Sequence, residues 1–162
     1  MLEHPWNVAI LGSTGSIGCN QTVSGTTVGA ARGITNYSCR PWDQTGGEMV
    51  YTFTAEREQH VDLALTGTQS DLDIMVLDGE CQGDKCIAFG DMEAFFTAAA
   101  GVTYFIAVDG HAEDEGPFTL EVACATAGDE ICNDEQDNDN DGLTDCRDDD
   151  CKDDPACVDC TA

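Results

Sequence analysis

The chain has 162 residues, 41% of them hydrophobic, which is enough for one packed domain and a small appendage. It carries 32 acidic residues against 6 lysines and arginines, giving a formal net charge of -26. This acidity excludes nucleic acid partners, because phosphates are repelled, and disfavours anionic membranes. It suits divalent cations instead. No apolar run of about 18 residues occurs, so the sequence predicts no membrane span.

The N-terminal extension, residues 1–18, contains neither the basic region nor the long apolar stretch of a signal peptide. Residues 10–18 (ILGSTGSIG) resemble the phosphate-binding loop of deoxyxylulose phosphate reductoisomerases, where a strand leads through a glycine-rich turn into a helix. The residues that follow are poor helix formers, so the helix N-terminus that would hold a phosphate is not expected. We therefore interpret residues 8–11 as a strand leading into a loop.

Residues 19–127 read as β-structure, with alternating, β-branched and aromatic segments between glycine and aspartate turns. The six strongest predicted strands are 49–54, 61–65, 73–77, 94–97, 103–108 and 118–123, and weaker ones are 8–11, 21–25 and 86–89. Turns are predicted at Asp78-Gly79, Gly83-Asp84, Gly90-Asp91, Ala100-Gly101 and Asp109-Gly110. Short strands with frequent turns predict an all-β, antiparallel β-sandwich.

One predicted strand shows clean alternation. Val61, Leu63 and Leu65 should face one side of the sheet, and His60, Asp62 and Ala64 the other.

Ten cysteines are present, an even and high number that indicates disulfides and an oxidising compartment. The candidates are Cys19, Cys39, Cys81, Cys86, Cys124, Cys132, Cys146, Cys151, Cys157 and Cys160. Zinc is the competing interpretation, but only Cys157 and Cys160 have CxxC spacing, and no second pair accompanies them.

The pairing of the cysteines stays open at this point. Cys81 and Cys86 bracket a loop short enough for a local disulfide. That pair would leave three cysteines in the domain and five in the tail, so one bridge would join domain to tail or two molecules. Cys19–Cys39 with Cys124–Cys160 is one possible arrangement.

The tail, residues 128–162, holds 14 acidic residues in 35 positions and few core-forming side chains. Its spacing is that of a calcium loop, with carboxylates at the first, third and fifth positions, a glycine at the sixth and a backbone carbonyl at the seventh. The ninth position is an aspartate. The twelfth position, which is usually a glutamate, is also an aspartate here. The predicted ligands are Asp137, Asp139, Asp141, Leu143, Asp145 and Asp148.

The other interpretation of the tail is a solvated acidic segment. Against it, unpaired aspartates on one loop repel each other, and a solvated tail does not need five cysteines. Asp148, Asp149, Asp150, Asp153 and Asp154 could form a second calcium site.

No nucleophile or metalloprotease motif occurs, so the sequence predicts no enzyme. His4, His60 and His111 are interpreted as surface or turn histidines. The aromatic residues could line a glycan-binding face, although core packing is the simpler interpretation. They are Trp6, Trp42, Tyr37, Tyr51 and Tyr104.

Residues 19–124 resemble the bacterial pre-peptidase C-terminal domain, most clearly in SDLDIMVLDG and FTAAAGVTYFIAVDG. The resemblance implies a jelly-roll-like β-sandwich that is secreted, accessory and non-catalytic. The tail sequence EICNDEQDNDNDGLTDC resembles the aspartate-rich calcium repeats of secreted bacterial surface proteins, akin to thrombospondin type 3 repeats. This second resemblance implies that Asp137, Asp139, Asp141 and Asp145 bind calcium.

Two functions follow as hypotheses. The first is an extracellular structural subunit at the cell surface, self-associating into a fibre or layer held by calcium, disulfides and an N-terminal strand that pairs with a neighbour. The second is an accessory module that binds polysaccharide or extracellular protein. A hydrolase with an unrecognised site is a weaker third.

Overall fold

The computed structural model describes residues 14–41, 43–126, 131–136, 144–147, 151, 154, 156 and 157. Within that part, nine strands form two sheets, and two short 3₁₀ turns occur at Gly83–Lys85 and Asp145–Arg147. The strands are β1 (Gly15–Ser16), β2 (Gln21–Thr26), β3 (Gln44–Thr54), β4 (Gln59–Thr66), β5 (Leu72–Asp78), β6 (Cys86–Gly90), β7 (Glu93–Ala98), β8 (Thr103–His111) and β9 (Pro117–Thr126). The predicted all-β sandwich is confirmed, and so are the six strongest strands. No helix in the described part is long and apolar enough to cross a bilayer.

Sheet 1 has the strand order β1-β3-β8-β5-β6, and sheet 2 has the order β2-β9-β4-β7. All neighbours are antiparallel except β1 and β3, which run parallel with Gly15 opposite Tyr51. The described end of the N-terminal extension thus joins the sheet of its own chain, and Ile17 is buried in the core. No helix follows it up to residue 41, as the poor helix formers in this stretch predicted. The predicted strand at 8–11 lies outside the described residues.

The core lies between the two sheets and is built from the inward-facing apolar residues of every long strand. On β4, Val61, Leu63 and Leu65 are at most 1% exposed. His60, Asp62 and Ala64, the alternate residues, are only partly covered. This confirms the predicted orientation of β4, and it leaves the outer face of sheet 2 accessible.

The outer face of sheet 1 is covered instead. Residues 31–41, called the cover segment below, cross this face. Near β3 the backbone N–H of Glu48 donates a hydrogen bond to the Ala31 carbonyl, and near β6 the N–H of Ser38 donates one to the Gly83 carbonyl. Tyr37 of this segment packs with Met75 and Leu77 in a second apolar cluster. Residues Leu72 to Leu77 of β5 are therefore buried on both faces.

The turn predicted at Asp109-Gly110 is wrong. Both residues belong to β8, where Asp109 pairs with Glu48 of β3 and with Asp73 of β5. The chain reverses later, at Ala112 and Glu113, whose φ angles are 48° and 73°. An Asp-Gly pair usually marks a turn, but here the fully buried carboxyl of Asp109 has partners that hold it inside the sheet.

Strand β3 starts at Gln44, five residues before the predicted segment, and its additional part contains Gly46 and Gly47. A Cβ atom at Gly47 would overlap the carbonyl oxygen of Thr27, and one at Gly46 would overlap the carbonyl oxygen of Asp114. Only glycine permits this close approach of neighbouring backbone, so the pair does not mark a turn.

Candidate functional site

Of the six predicted calcium ligands, only Asp145 lies among the described residues. It begins the second 3₁₀ turn, and its carboxylate accepts hydrogen bonds from the backbone N–H groups of Asp134 and Glu135 at 3.0–3.2 Å. Asp145 therefore fixes the position of the segment 131–136. The other five, Asp137, Asp139, Asp141, Leu143 and Asp148, lie outside the described residues.

Four disulfides are formed: Cys19–Cys124, Cys39–Cys86, Cys132–Cys151 and Cys146–Cys157. Two lie within the sandwich and two within the tail, so none of those described joins the two parts. Such a set is typical of proteins that fold outside the cytosol. Cys160 lies outside the described residues.

The suggested pairs Cys81–Cys86, Cys19–Cys39 and Cys124–Cys160 are wrong. Strand β2 pairs with β9 so that Gln21 lies opposite Val122, and the same register places Cys19 opposite Cys124. The cover segment bonds to the Gly83 turn, which brings Cys39 to Cys86 and leaves Cys81 as a thiol. Closeness in sequence was therefore a poor guide, because the cover segment supplied a partner from 47 residues away.

The sulfurs of Cys132, Cys151 and Cys157 form the only described group of three or more potential ligand atoms that lie within 4.8 Å of one another. Each of these sulfurs belongs to a disulfide. The group therefore offers no thiolate for zinc.

A row of three acidic residues crosses sheet 1 under the cover segment: Glu48 on β3, Asp109 on β8 and Asp73 on β5. Tyr37 donates a hydrogen bond from its hydroxyl to Asp109 at 2.8 Å and to Glu48 at 3.3 Å. We call Glu48, Asp109 and Asp73 the buried acidic row. All three are at most 4% exposed, so charge in this row is costly unless it is paired.

Among the described residues, one cationic side chain forms an ion pair with this row. Arg40 of the cover segment pairs with Asp73 at 2.7 Å, and Gln44 donates to the other oxygen of Asp73 at 2.6 Å. Burial, together with the neighbouring Glu48, raises the pKa of Asp109 to about 8. Burial also raises the pKa of Glu48 and Asp73. The row is therefore stabilised by hydrogen bonds, by one arginine and by the proton that Asp109 keeps at neutral pH, and it has the character of a structural network.

The outer face of sheet 2 carries a groove of about 410 Å³, called the sheet 2 groove. Its floor comes from the outward residues of β4, β7 and β9, and Asp134 and Gln136 of the tail form one side. Because Asp145 bonds to the backbone at Asp134, the predicted calcium loop is directly connected to a wall of this groove.

Two rows of side chains cross the groove from β7 over β4 to β9. In one row Asp62 lies between Phe95 of β7 and Ala123 of β9. In the other row, Ala64 lies between Glu93 and Glu121. The result is an apolar floor surrounded by carboxylates.

Phe95 is the most exposed large hydrophobic side chain among the described residues, at 66%. Its ring lies 5.9 Å from that of His60, which in turn lies 3.4 Å from the carboxylate of Asp62. Ile87, Phe89 and Met92 are also exposed, but none of them lines the groove, and Phe89 lies opposite Met75 on the outer face of sheet 1. Phe95 is thus the one large exposed apolar side chain among the described lining residues, and a concave lining with an aromatic side chain and a few polar groups is typical of a binding site.

None of the described residues that line the groove is a serine, threonine or cysteine. The polar side chains of the lining are carboxylates, one histidine and one glutamine, which can hold a charged ligand by ion pairs and hydrogen bonds. His111 ends β8, and His4 lies outside the described residues.

The three tyrosines considered for a glycan-binding face, Tyr37, Tyr51 and Tyr104, are at most 4% exposed, so core packing is confirmed for them. Trp6 and Trp42 lie outside the described residues. The groove residues Glu93, Phe95 and Glu121 were not predicted, because pairs of acidic residues arise by chance in so acidic a chain. For Phe95, the alternation in EAFFTA was a usable signal that one phenylalanine faces outward.

No protein-family model matches this chain, and no curated protein is significantly similar to it. Among solved structures, it resembles PliG of Aeromonas hydrophila, a periplasmic inhibitor of g-type lysozyme, at 18% identity over 65% of this chain and 85% of that one, with a TM-score of 0.46. It also resembles the pre-peptidase C-terminal domain of a Bacillus anthracis collagenase, at 19% identity over 67% and 93% of the two chains, with a TM-score of 0.47. PliG of Salmonella Typhimurium follows at 14% identity over 65% and 90%, with a TM-score of 0.38. TM-scores below 0.5 describe a loose similarity, so the sandwich itself rests on the strand pairing above.

Proposed function

We propose that this protein is a non-catalytic, extracellular binding module that holds a basic protein partner in the sheet 2 groove. The observation that carries the proposal is the groove itself, in which an exposed phenylalanine lies among carboxylates on an otherwise open sheet face. A formal net charge of -26 favours a cationic partner and accelerates its association. Polysaccharide binding has less support, because the three described tyrosines are buried.

We propose that the tail binds calcium and thereby steadies one wall of the groove. Carboxylate and carbonyl oxygens are the donors that calcium prefers, and the loop offers both. The described carboxylate of Asp145 already bonds to the backbone at Asp134 and Glu135, so this ninth position suits an indirect role through water.

Calcium binding is tested by thermal unfolding in calcium and in chelator. A ligand at 100 times its Kd stabilises the folded state by about 2.7 kcal/mol, so calcium should raise the Tm of the wild type. Asp139→Asn should lose most of that rise, whereas Asp78→Asn, which changes an exposed residue outside the tail, should keep it. Equal responses of the two variants would refute the assigned loop.

Self-assembly into a fibre or layer is the second candidate, favoured by the open edges of β6 and β7 and their exposed apolar residues. Charge repulsion between copies opposes it unless calcium intervenes. Light scattering separates the two functions. Long particles that shorten in chelator support assembly, and a monomer under both conditions supports the binding module.

The binding proposal is tested with poly-L-lysine as a stand-in for a basic protein surface, by calorimetry at about 0.15 M salt, where long-range attraction is screened. Phe95→Ala should weaken binding at least about fivefold, because the ring supplies buried contact area in the complex.

Val28→Ala is the matched control, since Val28 is also a highly exposed apolar residue, at 61%, but does not line the groove. Neither substitution changes the net charge, so unspecific attraction is the same in both. If the two variants bind as tightly as the wild type, poly-L-lysine is held by charge alone and the groove is not the binding site.

A further inference from the structure

We propose that the sheet 2 groove contains a socket for one lysine or arginine side chain, with the aliphatic stem on Phe95, Ala64 and Ala123 and the cationic head between Glu93, Glu121 and Asp62. This inference rests on the proposed function, because it names the chemical group by which the partner is recognised. It goes further in assigning a single-residue site at a defined place in the sheet.

The strand register defines the socket. Ala64 is flanked by Glu93 on one side and Glu121 on the other, so the two glutamates lie two strand spacings apart, roughly 10 Å between Cα atoms. Between them stands only a methyl group. The gap therefore has carboxylates on both sides and a shallow apolar base.

The neighbouring row completes the socket. Asp62 lies two residues from Ala64 on the same face of β4, with the ring of Phe95 directly across one strand and Ala123 across the other. A side chain that crosses from this row to the row of Ala64 would contact the aromatic ring with its stem, while its charged end lies among Asp62, Glu93 and Glu121. Lysine and arginine have this amphipathic shape, and their cations are also attracted to aromatic faces.

A metal ion fits the same residues less well. A bare cation needs several oxygen atoms around one point, at about 2.3–2.6 Å for calcium. Among the described residues, the only group of ligand atoms that meet within 4.8 Å is the cysteine group of the tail, and the groove carboxylates form no such group. Separated carboxylates around an apolar floor favour an extended organic cation.

The experiment is a titration of the full chain, followed by NMR of backbone amides, with three glycine-rich pentapeptides that differ only at the central residue. Lysine and arginine supply stem and charge, and norleucine supplies the stem alone. We expect the charged peptides to shift the amides of Ala64, Phe95 and Ala123, and to bind at least about tenfold more tightly than the norleucine peptide. The same calcium concentration is kept in all three titrations, so that any effect of the tail on the groove is constant.

Two variants locate the site. Ala64→Leu fills the gap between the glutamates without changing the charge, and it should reduce binding of the lysine peptide at least about tenfold. Glu121→Gln should reduce it several-fold, whereas Glu58→Gln, which removes the same charge from an exposed loop position, should not. The folding of each variant is checked by the dispersion of its amide spectrum.

The outcomes separate the two proposals. The first outcome is that binding of poly-L-lysine depends on Phe95, but the three peptides bind with equal affinity or Ala64→Leu binds the lysine peptide as tightly as the wild type does. The socket is then overturned, and the binding groove stands. If the affinity for the peptides and the affinity for poly-L-lysine are both independent of Phe95, both proposals fail.

Discussion

The two outer faces of the sandwich carry similar chemistry and put it to opposite uses. On sheet 1, acidic residues lie beneath the cover segment, where Arg40, Tyr37 and Gln44 satisfy them. On sheet 2, acidic residues surround an apolar floor that no described strand or loop covers fully, and Phe95 is left 66% exposed. The described acidic residues of sheet 1 are thus part of a buried network, whereas those of the sheet 2 groove remain accessible.

The largest effect that tests this comparison is expected at Arg40. Arg40→Ala removes the only described ion-pair partner of Asp73, which is fully buried, and it also removes a cation–π contact with Phe89 at 5.5 Å. Leaving a buried carboxylate without its partner costs about 3–5 kcal/mol. The free energy of unfolding, measured with urea at pH 7, should fall by that amount.

Arg32→Ala is the control for this experiment. Arg32 pairs with Glu115 at 2.8 Å, but its side chain is 45% exposed, so its loss should destabilise the protein far less than the loss of Arg40 does. Similar losses for the two variants would mean that the cover segment does not seal the face of sheet 1.

The second test concerns the proton held by Asp109. Its pKa is raised to about 8 in the folded chain, while the unfolded value is about 4. Between these pH values the folded state binds one more proton than the unfolded state. The contribution of Asp109 to the free energy of unfolding is therefore fully present below about pH 4, and it is lost as the pH rises through 8. Each such proton contributes a slope of about 1.4 kcal/mol per pH unit.

Asp109→Asn keeps an acceptor for Tyr37 and cannot titrate, so its stability should fall less steeply between pH 5 and 8 than that of the wild type. Urea unfolding at several pH values measures both slopes. Asp78→Asn, an exposed aspartate on the neighbouring strand β5, should retain the wild-type slope. If Asp109→Asn also retains it, the proton is held elsewhere in the buried acidic row.

The sequence was sufficient to locate the central parts of β2 to β9 and to orient β4, because alternation between apolar and polar residues is a local signal. It also contained an unused signal for the cover segment. The run LDIMVL in β5 does not alternate, and a strand that is apolar on both sides is buried on both faces. Asp73 within that run could have been recognised as a buried carboxylate in need of a partner.

Other features depended on contacts between distant residues and could not be predicted. Cys39 reaches Cys86 only because the cover segment crosses sheet 1, and Asp109-Gly110 stays extended only because Tyr37 and the two neighbouring strands hold it. The sheet 2 groove depends on which residues of β7 and β9 stand beside Ala64, and strand register is a long-range property.

The smallest effect is expected on the open face, and β7 offers a matched pair for it. Phe95 and Phe96 are adjacent in sequence and point to opposite faces of sheet 2, with exposures of 66% and 7%. Phe96 packs against Phe53 and Tyr104 in the core, so Phe96→Ala should cost about 3–5 kcal/mol. Phe95→Ala removes a side chain that is mostly in water, and the free energy of unfolding should change by no more than about 0.5 kcal/mol.

Urea unfolding of the two variants, set beside their affinity for poly-L-lysine, separates stability from binding. A large apolar side chain that contributes little to stability but much to affinity belongs to a binding surface, because its apolar area is buried only in the complex. If Phe95→Ala destabilises the protein as much as Phe96→Ala does, then Phe95 is covered in solution. The face of sheet 2 would then be closed like that of sheet 1, and the contrast between the two faces would disappear.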